Sequence, residues 1–195
     1  MDFVINSWDL ISRSGLTETL SASETKRIKL TNRFAVISVV FTLPYVFGFA
    51  SFGYYDIALF SLFLTLVYSG IPLLTYYKLY SVAKLLLYCT VLVHQFVIAS
   101  VFGEGADIHL LYIALVLLPI VLYDYKKNVG WITFYTVITL GAMLLLYYTD
   151  FSLFRREVSQ TVVLMMNIAY KFTTIAGVIV ILCTSLYVGE RTEKS

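Results

Sequence analysis

The sequence predicts an all-α membrane protein: a bundle of six transmembrane helices with both termini in the cytoplasm. Hydrophobic residues make up 59% of the 195 residues, while charged residues make up only 13%. Soluble domains carry about 25% charged residues, so this chain cannot cover itself with a water-facing surface and needs lipid around it. The 16 Tyr and 14 Phe agree with this, because tyrosine rings favour the membrane–water boundary. A net charge of only +2 argues against a nucleic-acid partner.

Residues 1–23 form an amino-terminal segment that precedes the membrane domain. Val4, Trp8 and Ile11 recur at helical spacing with polar residues between them. This pattern predicts a short amphipathic helix lying on the membrane surface, with a partly ordered cytoplasmic tail as the alternative. We expect no cleavable signal peptide, because the first apolar run long enough to span begins after residue 30.

Residues 24–188 contain six apolar runs that predict the membrane domain. Residues 21–24 read Ser-Ala-Ser-Glu, the spacing of a capping box, so the first helix is expected to begin there. Each run approaches the roughly 20 residues that cross a bilayer, except the short fourth one, and three of them contain a proline whose kink would leave room for a cavity. The first predicted span ends near Phe52, and the others cover Tyr55–Tyr76, Val82–Phe102, Ile108–Leu122, Val129–Tyr147 and Thr161–Val188.

The basic residues predict the orientation. Lysine and arginine concentrate before the first span, in the second and fourth connections and after the last span, which the positive-inside rule places in the cytoplasm. These residues are Arg13, Lys26, Arg27, Lys29, Arg33, Lys78, Lys84, Lys126, Lys127, Arg191 and Lys194. The opposite side carries Asp56, Glu104, Asp107, Asp150 and Glu157.

The hairpin between the third and fourth spans is the first candidate for a binding site. It runs from His94 to Pro119, contains both histidines, and turns through Gly-Glu-Gly-Ala-Asp at residues 103–107. A mostly apolar cavity with few polar anchors suits a small lipophilic or amphiphilic ligand. The predicted ligand-binding residues in the outer half of the bundle are His94, Glu104, Asp107, His109, Asn167 and Lys171.

Lys171 is the most informative of these residues, because an ammonium at mid-bilayer costs about 2.5–3.5 kcal/mol. It lies about ten residues into the last predicted span, with Asn167 one turn before it. We expect it to face the bundle interior, where it would attract an anionic or carbonyl-bearing ligand. The alternative is that its stem follows the apolar surface and its amine reaches the outer headgroups.

The histidines support only weaker hypotheses. A lone intramembrane histidine is more often neutral and hydrogen-bonded than a ligand, and two without fixed spacing indicate a metal or haem only weakly. A pair formed by Asp107 and His109 would sense pH. No cofactor or metal is therefore predicted.

No catalytic motif is present, so we expect no enzyme activity in this chain. The sequence lacks the signatures of zinc proteases, serine hydrolases, P-loop proteins and dinucleotide-binding proteins, and its carboxylates are scattered over the connections. Cys89 and Cys183 fall inside apolar runs and suggest neither a disulfide nor a metal knuckle.

Three stretches resemble a known family. They are residues 20–33 (LSASETKRIKLTNR), residues 105–110 (GADIHL) followed by an apolar run and Leu118-Pro119, and the last span, which continues into polar residues 189–195 as the start of a signalling helix. With them the whole chain resembles the N-terminal six-helix membrane domain of bacterial sensor histidine kinases, including the autoinducer-sensing type, and of class III nucleotide cyclases.

That resemblance implies a receptor domain in the bacterial inner membrane, part of a two-component or cyclase signalling system. Such a domain would act as a homodimer and pass a shift of its last helix to a cytoplasmic kinase or cyclase output domain. The chain itself contains no kinase H-box, ATP-binding domain or cyclase domain. The alternatives are a small transporter or channel, disfavoured by the few polar groups in the cytoplasmic half of the spans, and a structural subunit that binds partner helices.

Overall fold

A computed structural model describes residues 8–102, 111–149 and 157–193, and within these ranges the chain is helical with no β-strand. The first helix, α1, covers residues 8–12 of the described part. The remaining helices are α2 (Ala22–Ser51), α3 (Tyr55–Tyr76), α4 (Tyr80–Phe102), α5 (Leu111–Leu122), α6 (Tyr125–Tyr148) and α7 (Gln160–Glu193). The all-α prediction is confirmed.

Among the described residues, five helices are long and apolar enough to cross a membrane, namely α2, α3, α4, α6 and α7. This indicates a multi-pass membrane protein. The fourth predicted span corresponds to α5, which covers 12 of the described residues. At ~1.5 Å per residue such a helix is about 18 Å long, shorter than a ~30 Å hydrocarbon core. The start predicted at residue 108 lies outside the described residues.

Local sequence signals fix the ends of α2. The predicted capping box is confirmed: the Ser21 hydroxyl accepts a hydrogen bond from the Glu24 amide at 3.3 Å, and the Glu24 carboxylate accepts one from the Ser21 amide at 3.2 Å. At the other end Gly53 adopts a positive φ of 82°, and the Tyr54 amide donates to the Phe49 carbonyl at 2.9 Å. Free backbone N–H and C=O groups at the two ends of α2 thus find hydrogen-bond partners in nearby residues.

The chain divides into two compact units. The first holds the residues up to Thr90 together with those from Ile181 onward. In this unit α2 packs against α3. Its buried side chains, each less than a tenth exposed, include Ile28, Leu30, Phe34, Phe49, Ile57, Leu64, Tyr68 and Ile71.

The second unit runs from Val91 to Val180, and in it α5 packs against α6. Tyr123 and Tyr135 join these elements: their rings lie 5.4 Å apart and their hydroxyls 3.1 Å apart. Trp131 stacks on Tyr135 at 5.8 Å. The first turn of α6 is set off by a kink at Asn128, where φ is −131°, so the regular helix begins near the predicted start at Val129.

Exposed tyrosines lie at the ends of the long helices. Tyr55 begins α3 and Tyr76 ends it, while Tyr125 begins α6 and Tyr148 ends it, and all four are exposed. A ring with an apolar body and a polar tip is most stable at the membrane–water boundary. Their placement matches helices whose lengths fit a bilayer.

Lys78 follows α3 in a left-handed conformation, with φ of 63°, and its side chain is exposed. This conformation is unfavourable for a residue with a Cβ, so we predict that Lys78→Gly raises the free energy of unfolding by about 1 kcal/mol. Gly53→Ala is the reciprocal control: a Cβ there meets no atom within 4 Å, but φ is positive, so stability should fall by a similar amount. Denaturant unfolding in detergent measures both, and an unchanged or lower stability of Lys78→Gly would contradict the prediction.

Candidate functional site

The predicted ligand-binding residues fall into two groups. Glu104, Asp107 and His109 lie outside the described residues. His94 on α4 is buried, with 5% of its surface exposed. On α7, Asn167 is half-buried and Lys171 is exposed.

His94 lies beside a second buried polar group. The neighbouring Gln95 side chain has an oxygen, Oε1, that is shielded from solvent and has no hydrogen-bond partner within the described part of the chain. An unsatisfied buried acceptor is unfavourable by about 1–3 kcal/mol. A ligand that donates a hydrogen bond to it would be stabilised there.

Lys171 lies on the uncovered side of α7. Tyr170 and Met166 form the packed side of this helix, at 3% and 5% exposure, whereas Ile168 and Phe172 are 63% and 71% exposed. Lys171 belongs with the exposed residues. This differs from the predicted interior position, because the packed side of α7 is already occupied by larger apolar side chains. The alternative, a lysine whose stem follows the apolar surface, fits this position better.

Comparison of the chain with protein-family models, curated proteins and solved structures gives no match. Within residues 8–102, 111–149 and 157–193 no group of three or more His, Cys, Asp or Glu is placed to hold a metal ion.

Sequence reasoning missed a buried polar network in the first unit. Residues 8–20, named here the N-terminal clamp, lie against α2, and Asn32 of α2 is their central contact. The Asn32 amide nitrogen donates to the carbonyls of Ser12 and Ser14 at 3.3 and 3.1 Å. Its Oδ1 accepts from the Thr75 hydroxyl at 2.7 Å. Both amide donors and the amide oxygen are therefore satisfied, which also fixes the orientation of the amide.

Arg33, the next residue, binds the same segment. Its Nε donates to the Ser12 hydroxyl at 3.1 Å, and its guanidinium lies 3.6 Å from the Asp9 carboxylate and 5.6 Å from the centre of the Trp8 ring. Arg33 is 6% exposed. An arginine this deeply buried needs a carboxylate and hydrogen-bond acceptors around it, and the clamp supplies them.

The clamp also contacts α3 and α4. The Ser14 hydroxyl donates to the Pro72 carbonyl at 3.0 Å, and the Tyr80 hydroxyl donates to the Gly15 carbonyl at 2.6 Å. Gly15 has a φ of 79°, and a Cβ on it would overlap the Thr75 carbonyl. Glycine is therefore required there by both its conformation and its close approach to α3.

Other hydroxyls in the helices play a local part. Thr65, Thr90, Ser100 and Thr139 each donate to the carbonyl four residues earlier. This is the ordinary way for a hydroxyl to be satisfied in an apolar helix. The Thr75 hydroxyl has one acceptor in its own helix, the Pro72 carbonyl at 2.8 Å, and a second in α2, Asn32 Oδ1 at 2.7 Å, which joins two helices.

We predict that Thr75→Val lowers the free energy of unfolding by about 1–2 kcal/mol, because it leaves Asn32 Oδ1 buried without its donor. Thr65→Val is the matched control. Its hydroxyl is also buried but bonds only within its own helix, so the loss should be about 0.5 kcal/mol or less. Denaturant unfolding of both variants in the same detergent gives the comparison. Equal losses would show that the bond between the helices adds nothing.

Proposed function

We propose that this chain is a membrane-embedded sensory domain. It crosses the membrane six times with both termini in the cytoplasm, binds a small amphiphilic ligand in its outer half, and passes a shift of α7 to a cytoplasmic output. The expected output is a kinase or cyclase domain, and the expected assembly is a homodimer in a bacterial inner membrane, as in the family that the chain resembles.

The observation that carries this proposal is the length of α7. The helix has 34 residues without a break, and its membrane-compatible part ends at Thr184. At ~1.5 Å per residue it is about 51 Å long, whereas the hydrocarbon core is ~30 Å thick. The nine residues from Ser185 to Glu193 therefore leave roughly 13 Å of continuous helix beyond it to carry a displacement out of the membrane.

The ligand is proposed to reach its site through the lipid. Lys171 is exposed on α7, so an anionic amphiphile in the bilayer could place its head group against the ammonium. His94 and Gln95 supply buried polar groups within the same unit of the structure. Glu104, Asp107 and His109 join the proposed site on sequence grounds.

Binding can signal only if it discriminates between two arrangements of α7. A ligand shifts an equilibrium by no more than the difference between its affinities for the two states. A charge on the exposed side of the last helix satisfies this requirement, because any rotation or translation of α7 moves the ammonium relative to the bound anion.

The proposal predicts that an anionic amphiphile stabilises the purified protein in a neutral detergent, and that Lys171→Gln weakens its apparent affinity about tenfold, a change of ~1.4 kcal/mol. Loss of the ammonium removes the positive charge that we propose attracts the anion. Thermal-shift titration measures the effect.

Lys78→Gln is the control for this titration, because it removes an exposed lysine from the connection after α3. It should bind like the wild type. If Lys171→Gln and the wild type titrate identically, Lys171 has no part in ligand binding and the proposed site is wrong.

A further inference from the structure

The N-terminal clamp is held by polar contacts. Within residues 8–20, all of which the structure describes, the single buried side chain is that of Ser12. Leu10 is 77% exposed and Ile11 is 36% exposed. Burial of apolar surface is the usual way in which a segment is fixed to a protein. In the clamp Trp8, Leu16 and Leu20 are only half-buried, so hydrogen bonds and one carboxylate contribute much of its attachment.

The surface that receives the clamp belongs to two helices that support each other. Asn32 and Arg33 lie on α2, Thr75 lies at the end of α3, and the two helices pack together over their length. The amino end of α2 is closed by its own capping box, formed by Ser21 and Glu24. The packing of α2 against α3 and this capping box involve no residue of the clamp. The receiving surface is therefore expected to persist when the clamp leaves.

The chemistry of this surface selects a peptide. Asn32 presents two amide hydrogens to two carbonyls that are two residues apart, and Arg33 presents a guanidinium to a carboxylate and to a hydroxyl three residues later. Backbone carbonyls at that spacing are found in a polypeptide, and an acidic residue three positions before a serine places both groups on one side of a helical turn.

We propose that the cleft lined by Asn32, Arg33 and Thr75 is a peptide-binding site that the chain's own residues 8–16 occupy reversibly. Through Tyr80 the clamp also joins the start of α4 to this surface, so its release uncovers the cleft and frees that end of α4. This site is separate from the proposed ligand site in the outer half, and it stands whether or not that proposal holds.

Two glycines allow a matched test in the full-length protein. Gly15 and Gly53 have nearly the same positive φ, 79° and 82°. A side chain on Gly15 overlaps the Thr75 carbonyl, whereas one on Gly53 meets no atom within 4 Å. Gly15→Val therefore unseats the clamp, and Gly53→Val imposes the same backbone strain while leaving the clamp in place.

The probe is a fluorescent synthetic peptide with the sequence of residues 7–20, SWDLISRSGLTETL. Fluorescence anisotropy in detergent should show binding to Gly15→Val at least tenfold tighter than to the wild type or to Gly53→Val, whose clefts are filled. Adding Asn32→Ala to Gly15→Val should weaken binding at least tenfold. If Gly15→Val has wild-type helix content by circular dichroism and binds no better than Gly53→Val, the proposal is overturned.

Hydrogen exchange on the wild type tests reversibility without any substitution. The amides of Arg13, Ser14 and Leu16 are hydrogen-bonded within the clamp. They should exchange at least tenfold faster than the amides in the middle of α2, through local opening. Exchange of the clamp amides at the rate of the α2 amides would mean that the clamp leaves only when the protein unfolds, which excludes a reversible occupant.

Discussion

A polar atom that water cannot reach has to find its hydrogen-bond partner inside the protein, and this constraint governs the structure. Helices satisfy it for the backbone, and back-bonded hydroxyls such as those of Thr65 and Thr139 satisfy it for small side chains. For the Asn32 side chain this requirement is met only by partners from other parts of the chain. Its amide has no exposed surface, and its hydrogen bonds come from the N-terminal clamp and from the end of α3. The packing of these elements at the end of α2 follows from that amide.

The same constraint distinguishes two of the cations in this chain, Arg33 and Lys171. Arg33 is buried and surrounded by a carboxylate, a hydroxyl and an aromatic ring, so it acts as a structural cation. Lys171 is exposed on α7, which is the least buried of the candidate membrane-spanning helices. Arg33 is buried beside a carboxylate and fixes the local structure, whereas Lys171 lies at the surface of α7, where we propose that an anion reaches it through the lipid.

Much of the fold was readable from the sequence, because it depends on patterns local to each helix. The bounds of α3 agree with the prediction at both ends, and the capping box at Ser21 marks the start of α2. The N-terminal clamp was not readable in the same way, since its contacts use backbone carbonyls that no sequence pattern marks: those of Ser12 and Ser14 in the clamp and that of Pro72 in α3. From the sequence, Arg33 was interpreted only as a positive charge that sets the orientation in the membrane. The adjacent polar residue Asn32, at the edge of an apolar run, was the sequence feature that could have indicated the buried network.

The candidate site was predicted less well for a physical reason. Helical periodicity places Asn167 and Lys171 on one face, but which face of a nearly all-apolar helix packs inward depends on shape, and Tyr170 and Met166 fill the inner side instead. Depth in the membrane can be read from a sequence by counting residues. The side of a nearly all-apolar helix that faces the protein cannot be read from the sequence, because apolar side chains suit both lipid and a protein core.

The proposed function depends most on the number of membrane crossings. The crossing that most needs a test is α5, which covers only 12 described residues. Single cysteines at Lys127 and at Glu157, in a background with Cys89 and Cys183 replaced by serine, can be labelled in intact cells with a membrane-impermeant maleimide. Six crossings with cytoplasmic termini predict labelling at residue 157 and none at residue 127 until the membrane is permeabilised. The reverse pattern would mean either that α5 does not cross or that the whole bundle is inverted, and either case would contradict a cytoplasmic end for α7.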